Sequence, residues 1–367
     1  MTRKPRFTPV VADLPATVPF VGPETQERAR GGAFDARLGA NESGFGPSPR
    51  AAQAIAAAAS GAWMYGDPEA HDLRRVLAKH HGIGAENVVV GEGIDGLLLT
   101  LARLAVAPGT PVVTSHGGYP TFAYHARAQG GTLHEVAYRN DHADLAALAE
   151  TARETDASLV FLANPDNPMG TWHRAAEVQA FADALPENCL LALDEAYVDF
   201  APAGAAPLFD LSDPRIVRLR TFSKAHGLAG LRVGYAVGAA PTIRAFDKVR
   251  NHFGVGRIAQ AGALAALRDT EWLAQVVART EAARDRIADI ATAHGLVAIP
   301  SATNFVAVNC GGNGDRARAI LSGLLSRGIF VRMPGVAPLD RCIRVTAGPD
   351  DALDLFSDAL TQTLAET

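Results

Sequence analysis

The chain has 367 residues, 48% hydrophobic and 20% charged, with 34 basic against 39 acidic side chains and a net charge of −5. That length predicts about two domains, and the mildly acidic balance gives no global attraction for nucleic acid or an anionic membrane. No apolar run approaches the roughly 18 to 20 residues that span a bilayer, and Cys189, Cys310 and Cys342 are too scattered for a disulfide framework or a zinc site, so a cytoplasmic protein of enzyme size without a metal is expected.

Residues 1–37 are Pro-rich, show neither helical nor strand period, and read as an arm lying on the body. An Ala-rich helix is expected over 51–60. From residue 88 short apolar runs (88–90, 111–115, 133–137, 159–163, 190–193, 216–220 and 234–237) alternate with helix-like segments such as 95–106, 144–155 and 174–184. Strand alternating with helix predicts an α/β fold, a mostly parallel sheet sandwiched by helices. Continuous apolar runs suit strands buried on both faces. After Gly256 a long helical stretch (257–294) leads to strand-like segments at 305–309, 329–332 and 342–346, with helices over 315–327 and after Pro349. The expected organisation is an arm (1–37), a large domain (38–256) and a smaller C-terminal α+β domain (257–367).

Gly91-Glu92-Gly93-Ile94-Asp95-Gly96 follows a strand and opens a helix, as a dinucleotide fingerprint does. The next strand ends Thr114-Ser115-His116-Gly117-Gly118 without the acidic residue that would hold a ribose, so a phosphate is favoured and a nicotinamide cofactor is not. Three further segments sit at predicted strand ends. They are Asn164-Pro165-Asp166-Asn167-Pro168-Met169-Gly170, then Asp194-Glu195-Ala196-Tyr197, then Thr221 to Gly234 with Ser223, Lys224 and Arg232. Singly, each has an ordinary explanation: a helix cap for Asp194, a solvated surface for Lys224, a turn former for Asn167, a surface ion pair for Arg232. Jointly they describe one ligand. A lysine for a Schiff base, a carboxylate for a pyridinium nitrogen and a phosphate cradle are the requirements of pyridoxal phosphate.

These segments resemble the fold-type I pyridoxal-phosphate aminotransferases, specifically the histidinol-phosphate aminotransferase branch. The likeness runs from Leu38-Gly39-Ala40-Asn41-Glu42 through Tyr65-Gly66-Asp67-Pro68 to Ile343-Arg344-Val345-Thr346-Ala347-Gly348, and its most specific part is the Ser-Lys-x-x-x-Leu-x-Gly-x-Arg spacing of Ser223 to Arg232. It implies an aspartate-aminotransferase-like fold, with Lys224 holding pyridoxal phosphate and moving the substrate proton as general base and acid. Asp194 would pair with the pyridine nitrogen, Tyr197 and Asn167 with the ring's 3′-oxygen, and Phe122 would stack on the ring. The phosphate would take the backbone N–H groups of Ile94 and Asp95, the hydroxyls of Thr221 and Ser223, and Arg232. Tyr65 would reach the phosphate of a partner protomer, which implies a homodimer. Arg344 would bind a substrate carboxylate and Arg332 the far end of the substrate, with Asn41 and Phe20 beside them. The implied reaction is ping-pong transamination between histidinol phosphate and 2-oxoglutarate.

The sequence departs from that pattern in three places. Val18-Pro19-Phe20 stands where a Pro-Tyr is usual, so one phosphate-binding hydroxyl is missing. Gly93-Ile94-Asp95-Gly96 replaces the usual Gly-Ser-Asp-Glu, and Met169 a Thr. Asn41-Glu42-Ser43 lacks the expected Pro. None of these touches Lys224, Asp194, Tyr197, Arg232 or Arg344, so the alternatives concern the substrate: an aromatic or broad-range aminotransferase, or a decarboxylase of a phosphorylated amino acid. The aminotransferase-like effector domain of a transcription regulator would need an appended helix-turn-helix, which the Pro-rich arm does not resemble.

Overall fold

The structure is a computed structural model that describes residues 5–12, 14–16, 20–208 and 210–366; Val18 and Pro19 of the N-terminal motif lie outside the described residues. In chain order its strands are β1 (Ala36–Arg37), β2 (Val88–Gly91), β3 (Pro111–Ser115), β4 (Thr132–Val136), β5 (Leu159–Ala163), β6 (Leu190–Asp194), β7 (Ile216–Thr221), β8 (Gly234–Val237), β9 (Val297–Ala298), β10 (Phe305–Asn309), β11 (Ile329–Phe330) and β12 (Cys342–Thr346). The seven apolar runs read from the sequence form one sheet of order β2-β8-β7-β6-β5-β3-β4. Strands β3 to β7 pair in parallel, and β8 alone runs antiparallel to its neighbours β2 and β7. Every residue of β5 is buried, which is why no polar alternation marks it.

The crossover helices cover this sheet. Gly93–Ala105 turns Ile94, Leu97, Leu98 and Leu101 into the core. Leu145–Glu154 starts where the Asp144 carboxylate accepts from Ala147 N at 3.2 Å. No helix among the described residues is long and apolar enough to cross a membrane.

A second, smaller sheet, β12-β10-β9, is antiparallel. The helices Thr270–Ala293, Gly314–Ser326 and Asp350–Leu364 pack on it around Ile287, Ile320, Leu324, Val308, Ile343 and Phe356.

Two expectations about the chain's organisation need correction. The N-terminal stretch is not a featureless arm. It holds a helix, Pro23–Arg30, and β1, which pairs in parallel with β11 and sends Ala36 and Leu38 into the small module's core. Arg37 ties that helix to β1 through Glu24 (2.8 Å) and Glu27 (2.5 Å). The second correction is the boundary at Gly256. The helical stretch beyond it breaks at Asp269, whose side chain caps the next helix by accepting from Trp272 N. The first part, Arg257–Arg268, presents Ala259, Gly262, Ala263 and Ala266 and packs with Ala51, Leu73 and Leu77 in the large module's core. Small residues permit that approach: a Cβ on Gly262 would lie 2.9 Å from Ile55 Cγ1.

Candidate active site

Register gathers the singled-out segments at one edge of the large sheet. Ala163 lies opposite Asp194, and Asp194 opposite Leu219. Gly234 of the antiparallel β8 faces both Thr221 and Gly91. The loops after β5, β6 and β7 and the turn after β2 therefore emerge side by side, where open α/β sheets place ligands.

One end of this edge forms an anion cradle. Ser223 N donates to Thr221 Oγ1 at 3.0 Å, and the two hydroxyls are bonded at 2.9 Å. Arg232 Nη1 donates to Ser223 Oγ at 3.2 Å, and Nη2 stands 3.8 Å from Asp95 Oδ2. Arg232 takes a left-handed backbone, φ 52°, to make this reach. Ile94 and Asp95 occupy the first turn of helix Gly93–Ala105, whose free N–H groups and dipole favour an anion. Gly93 is required here: its φ is +71°, and a Cβ would sit 2.5 Å from Arg232 Nη2.

The centre holds Lys224, Asp194 and Tyr197. Lys224 Nζ donates to Asn41 O at 3.0 Å and lies 5.5 Å from the Tyr197 ring centre. Burial, then the guanidiniums of Arg344 and Arg232, bring its ammonium down to about 8. Asp194 ends β6 almost fully buried, with Oδ1 accepting from Ala196 N at 2.9 Å. Burial pushes its carboxyl up to about 7. The Tyr197 hydroxyl accepts from Asn41 Nδ2 at 3.0 Å and meets Asn167 Nδ2 at 3.5 Å. Asp166 fixes the loop bearing Asn167 by accepting from Tyr138 Oη (2.7 Å) and Met169 N (2.9 Å).

The small module closes the far side. Arg344, on β12, donates from Nη1 to Asn167 Oδ1 at 2.6 Å, while its buried Nε has no partner among the described residues. Arg332 bridges Arg344 through the backbone, and its guanidinium lies over the Phe20 ring. Among the described residues neither arginine pairs with a carboxylate.

The sequence-predicted residues thus converge, with two exceptions. Phe122 is 1% exposed and stacks on Phe161 in the core (centroids 4.8 Å apart, planes at 15°), and none of its contacts among the described residues is with the polar cluster. The aromatic that does belong to the polar cluster is Tyr119, whose hydroxyl donates to Asp95 Oδ1 at 2.8 Å. Its position just after the end of β3 was the available signal. Tyr65 lies outside the cluster, 80% exposed beside Trp63 (82%) and Phe253 (53%). Sequence reasoning also passed over Asn304, whose Nδ2 donates to Asn41 O at 3.0 Å, and Thr346 as a single residue, whose hydroxyl accepts from Asn41 N at 3.1 Å.

The donor set fits pyridoxal phosphate. A cradle cleared of a Cβ suits the phosphate, a buried carboxylate at the strand end suits a protonated ring nitrogen, and a lysine held below its ordinary range can act as a nucleophile.

Comparison with known proteins points the same way. Residues 36–360 match the family described as aminotransferase class I and II. The chain is 38% identical over 338 residues to histidinol-phosphate aminotransferase 1 of Mesorhizobium japonicum, covering 90% of both chains. It is 37% identical over 325 residues to the histidinol-phosphate aminotransferase of a Jannaschia species, covering 88% of this chain and 89% of that one. The crystal structure of histidinol-phosphate aminotransferase from Sinorhizobium meliloti in complex with pyridoxal-5′-phosphate matches with a TM-score of 0.97 at 52% identity, over 100% of this chain and 99% of that one. Aspartate aminotransferase from Thermus thermophilus with maleate, 20% identical with a TM-score of 0.80 over 97% and 100% of the two chains, shares the fold.

Proposed function

Because this chain belongs to the class I and II aminotransferase family, we propose that it is a pyridoxal-phosphate enzyme that moves an amino group between histidinol phosphate and 2-oxoglutarate. The observation that carries the substrate assignment is the pair Arg332 and Arg344. Two guanidiniums share one face of a backbone bridge, and among the described residues no carboxylate neutralises either. Arg344 is buried enough to lower its own pKa to about 10. A site that holds two such charges suits anionic donors and acceptors, as a phosphate monoester and a dicarboxylic oxo acid are.

When bound, pyridoxal phosphate supplies a carbonyl carbon that takes the amine and a protonated ring that draws off the electrons left when a Cα proton departs. The chain's own residues do the rest. Thr221, Ser223, Arg232 and the N–H groups of Ile94 and Asp95 would hold the phosphate, and Asp194 the ring nitrogen's proton. Lys224 Nζ, its affinity for a proton reduced by burial, takes up the proton that leaves the donor's Cα and later returns it. Tyr197 and Asn167, which meet each other, would hold the ring oxygen, and Arg344, steadied by Asn167, would orient the substrate carboxylate. The exposed Trp63, Tyr65 and Phe253 are the surface through which two protomers would join, with Tyr65 completing the partner's site.

The experiment is a half-reaction. Protein loaded with pyridoxal phosphate is mixed with histidinol phosphate, phenylalanine or tyrosine, and the visible cofactor band is followed. Bleaching by histidinol phosphate, with glutamate formed once 2-oxoglutarate is added, is the expected result. Bleaching by the aromatic amino acids alone would overturn the substrate assignment and favour the aromatic reading that the missing hydroxyl at Phe20 leaves open.

A further inference from the structure

Arg332 and Arg344 are partners in an isolated antiparallel bridge, so their side chains leave the backbone on the same side. Their supports differ. Arg344 is steadied by a side-chain amide of the large module. Arg332 is steadied by the segment leading into helix Pro23–Arg30: its guanidinium carbon lies 4.4 Å from the Phe20 ring centre, and Nη1 donates to Val21 O at 3.1 Å. A ring against the flat face of a guanidinium leaves the in-plane N–H groups free. With Nη1 on Val21, the Nε–Nη2 edge has no partner among the described residues. That edge is the fork that takes two oxygens of one phosphate or carboxylate.

We propose that Phe20 is a positioning residue that selects donors with an anionic side chain, by holding Arg332 from its face with its fork turned to the substrate. This rests on the substrate reading above and deepens it. Where the resemblance leads one to expect a tyrosine hydroxyl on the substrate phosphate, the phenyl ring here acts through the arginine instead. An unsupported arginine would have to surrender its rotamer freedom each time a substrate bound, and a supported one has already done so. The ring is 43% exposed, so its replacement leaves the core intact.

Holoenzyme is the form to test, because the cofactor then fills the phosphate cradle and Arg332 remains the place for a second phosphate. Phe20→Leu keeps an apolar side chain and removes the π face; Phe20→Tyr keeps the face. Phe20→Leu is expected to raise KM for histidinol phosphate by about ten-fold, the size a partly desolvated cation–π contact supports. Its kcat should stay within about two-fold, KM for phenylalanine should not move, and Phe20→Tyr should match the parent. Calorimetric binding of inorganic phosphate to the holoenzyme should weaken in Phe20→Leu by a similar factor, a readout that needs no turnover. Equal KM changes for both donors, or none, would overturn the proposal, as would equal weakening by Phe20→Tyr. If the parent does not use histidinol phosphate, the substrate reading fails. Weakened inorganic-phosphate binding in Phe20→Leu alone would still support the positioning role.

Discussion

Lys224 Nζ rests on the backbone carbonyl of Asn41, 3.0 Å away, in a place where that carbonyl is also held by Asn304 Nδ2. A carbonyl can accept from the ammonium without neutralising it, while Arg344 and Arg232 repel its charge. In cofactor-free protein the amine should therefore lose its proton near pH 8, against about 10.4 for a free lysine. Mass spectrometry of the Lys224 peptide after labelling with an amine-directed reagent at graded pH checks this. Arg344→Ala should move the midpoint upward, because a like charge is removed.

Asp194 offers a stability test with a definite sign. Its folded pKa of about 7 lies above the unfolded value, so the folded protein holds the extra proton and loses stability as pH rises from about 4 to about 7. Asparagine has no charge to bury and can still accept from Ala196 N. Cofactor-free Asp194→Asn should melt above the parent at pH 8, by a margin that closes as the pH falls towards 4. Transamination should drop on the order of a hundred-fold or more, since a ring nitrogen without its carboxylate is a poor electron sink. A variant that melts lower at pH 8 would contradict the buried-charge account.

Gly93→Ala should damage the cradle in two ways. The left-handed backbone disfavours a side chain by about 1 kcal/mol or more, and the new Cβ meets Arg232 Nη2. Since Arg232 is the cradle's guanidinium, pyridoxal phosphate should bind at least about ten-fold more weakly, with a modest fall in melting temperature. Equilibrium dialysis of the cofactor gives the first number and calorimetry the second.

Tyr197→Phe removes one acceptor from a buried donor. Asn41 Nδ2 then has no hydroxyl to meet, at a cost of about 1–3 kcal/mol. Denaturant titration should show that loss, and the visible band of the loaded enzyme should shift because the hydroxyl proposed to meet the ring oxygen has gone. A spectrum identical to the parent's would remove Tyr197 from the cofactor's surroundings.

The large sheet was legible in the sequence because its strands, the edge strand β4 apart, are largely buried: β3, β5 and β8 fall where the apolar runs lie, and β2, β4, β6 and β7 within one residue of them. That the segments after β5, β6 and β7 meet at one sheet edge was legible because their spacing is tied to those strand ends. What escaped the sequence depends on packing across distance. Phe122 and Tyr119 share one turn and both are aromatic, and only the fold shows which ring enters the core. Residues 257–294 carry one unbroken helical period, yet Asp269 turns the chain from one module to the other. Asn304 has no motif of its own. Its part is visible only when Asn41, far off in sequence, is brought to its side chain.

The pairing of β1 with β11 means that the first strand of the chain waits for a partner close to its other end. A ribosome emits Asn41 before Lys224, and Asn304 and Thr346, which fix Asn41, after both. The large sheet needs nothing beyond residue 237 for its strands and can assemble while synthesis continues, whereas the long loop between β1 and β11 closes late and at an entropic cost. A nascent chain would thus possess its lysine and its anion cradle before the Asn41 carbonyl on which the lysine rests is fixed in place. Truncation between β8 and β12 would leave the strands of the large sheet without Thr346, which holds Asn41 in place.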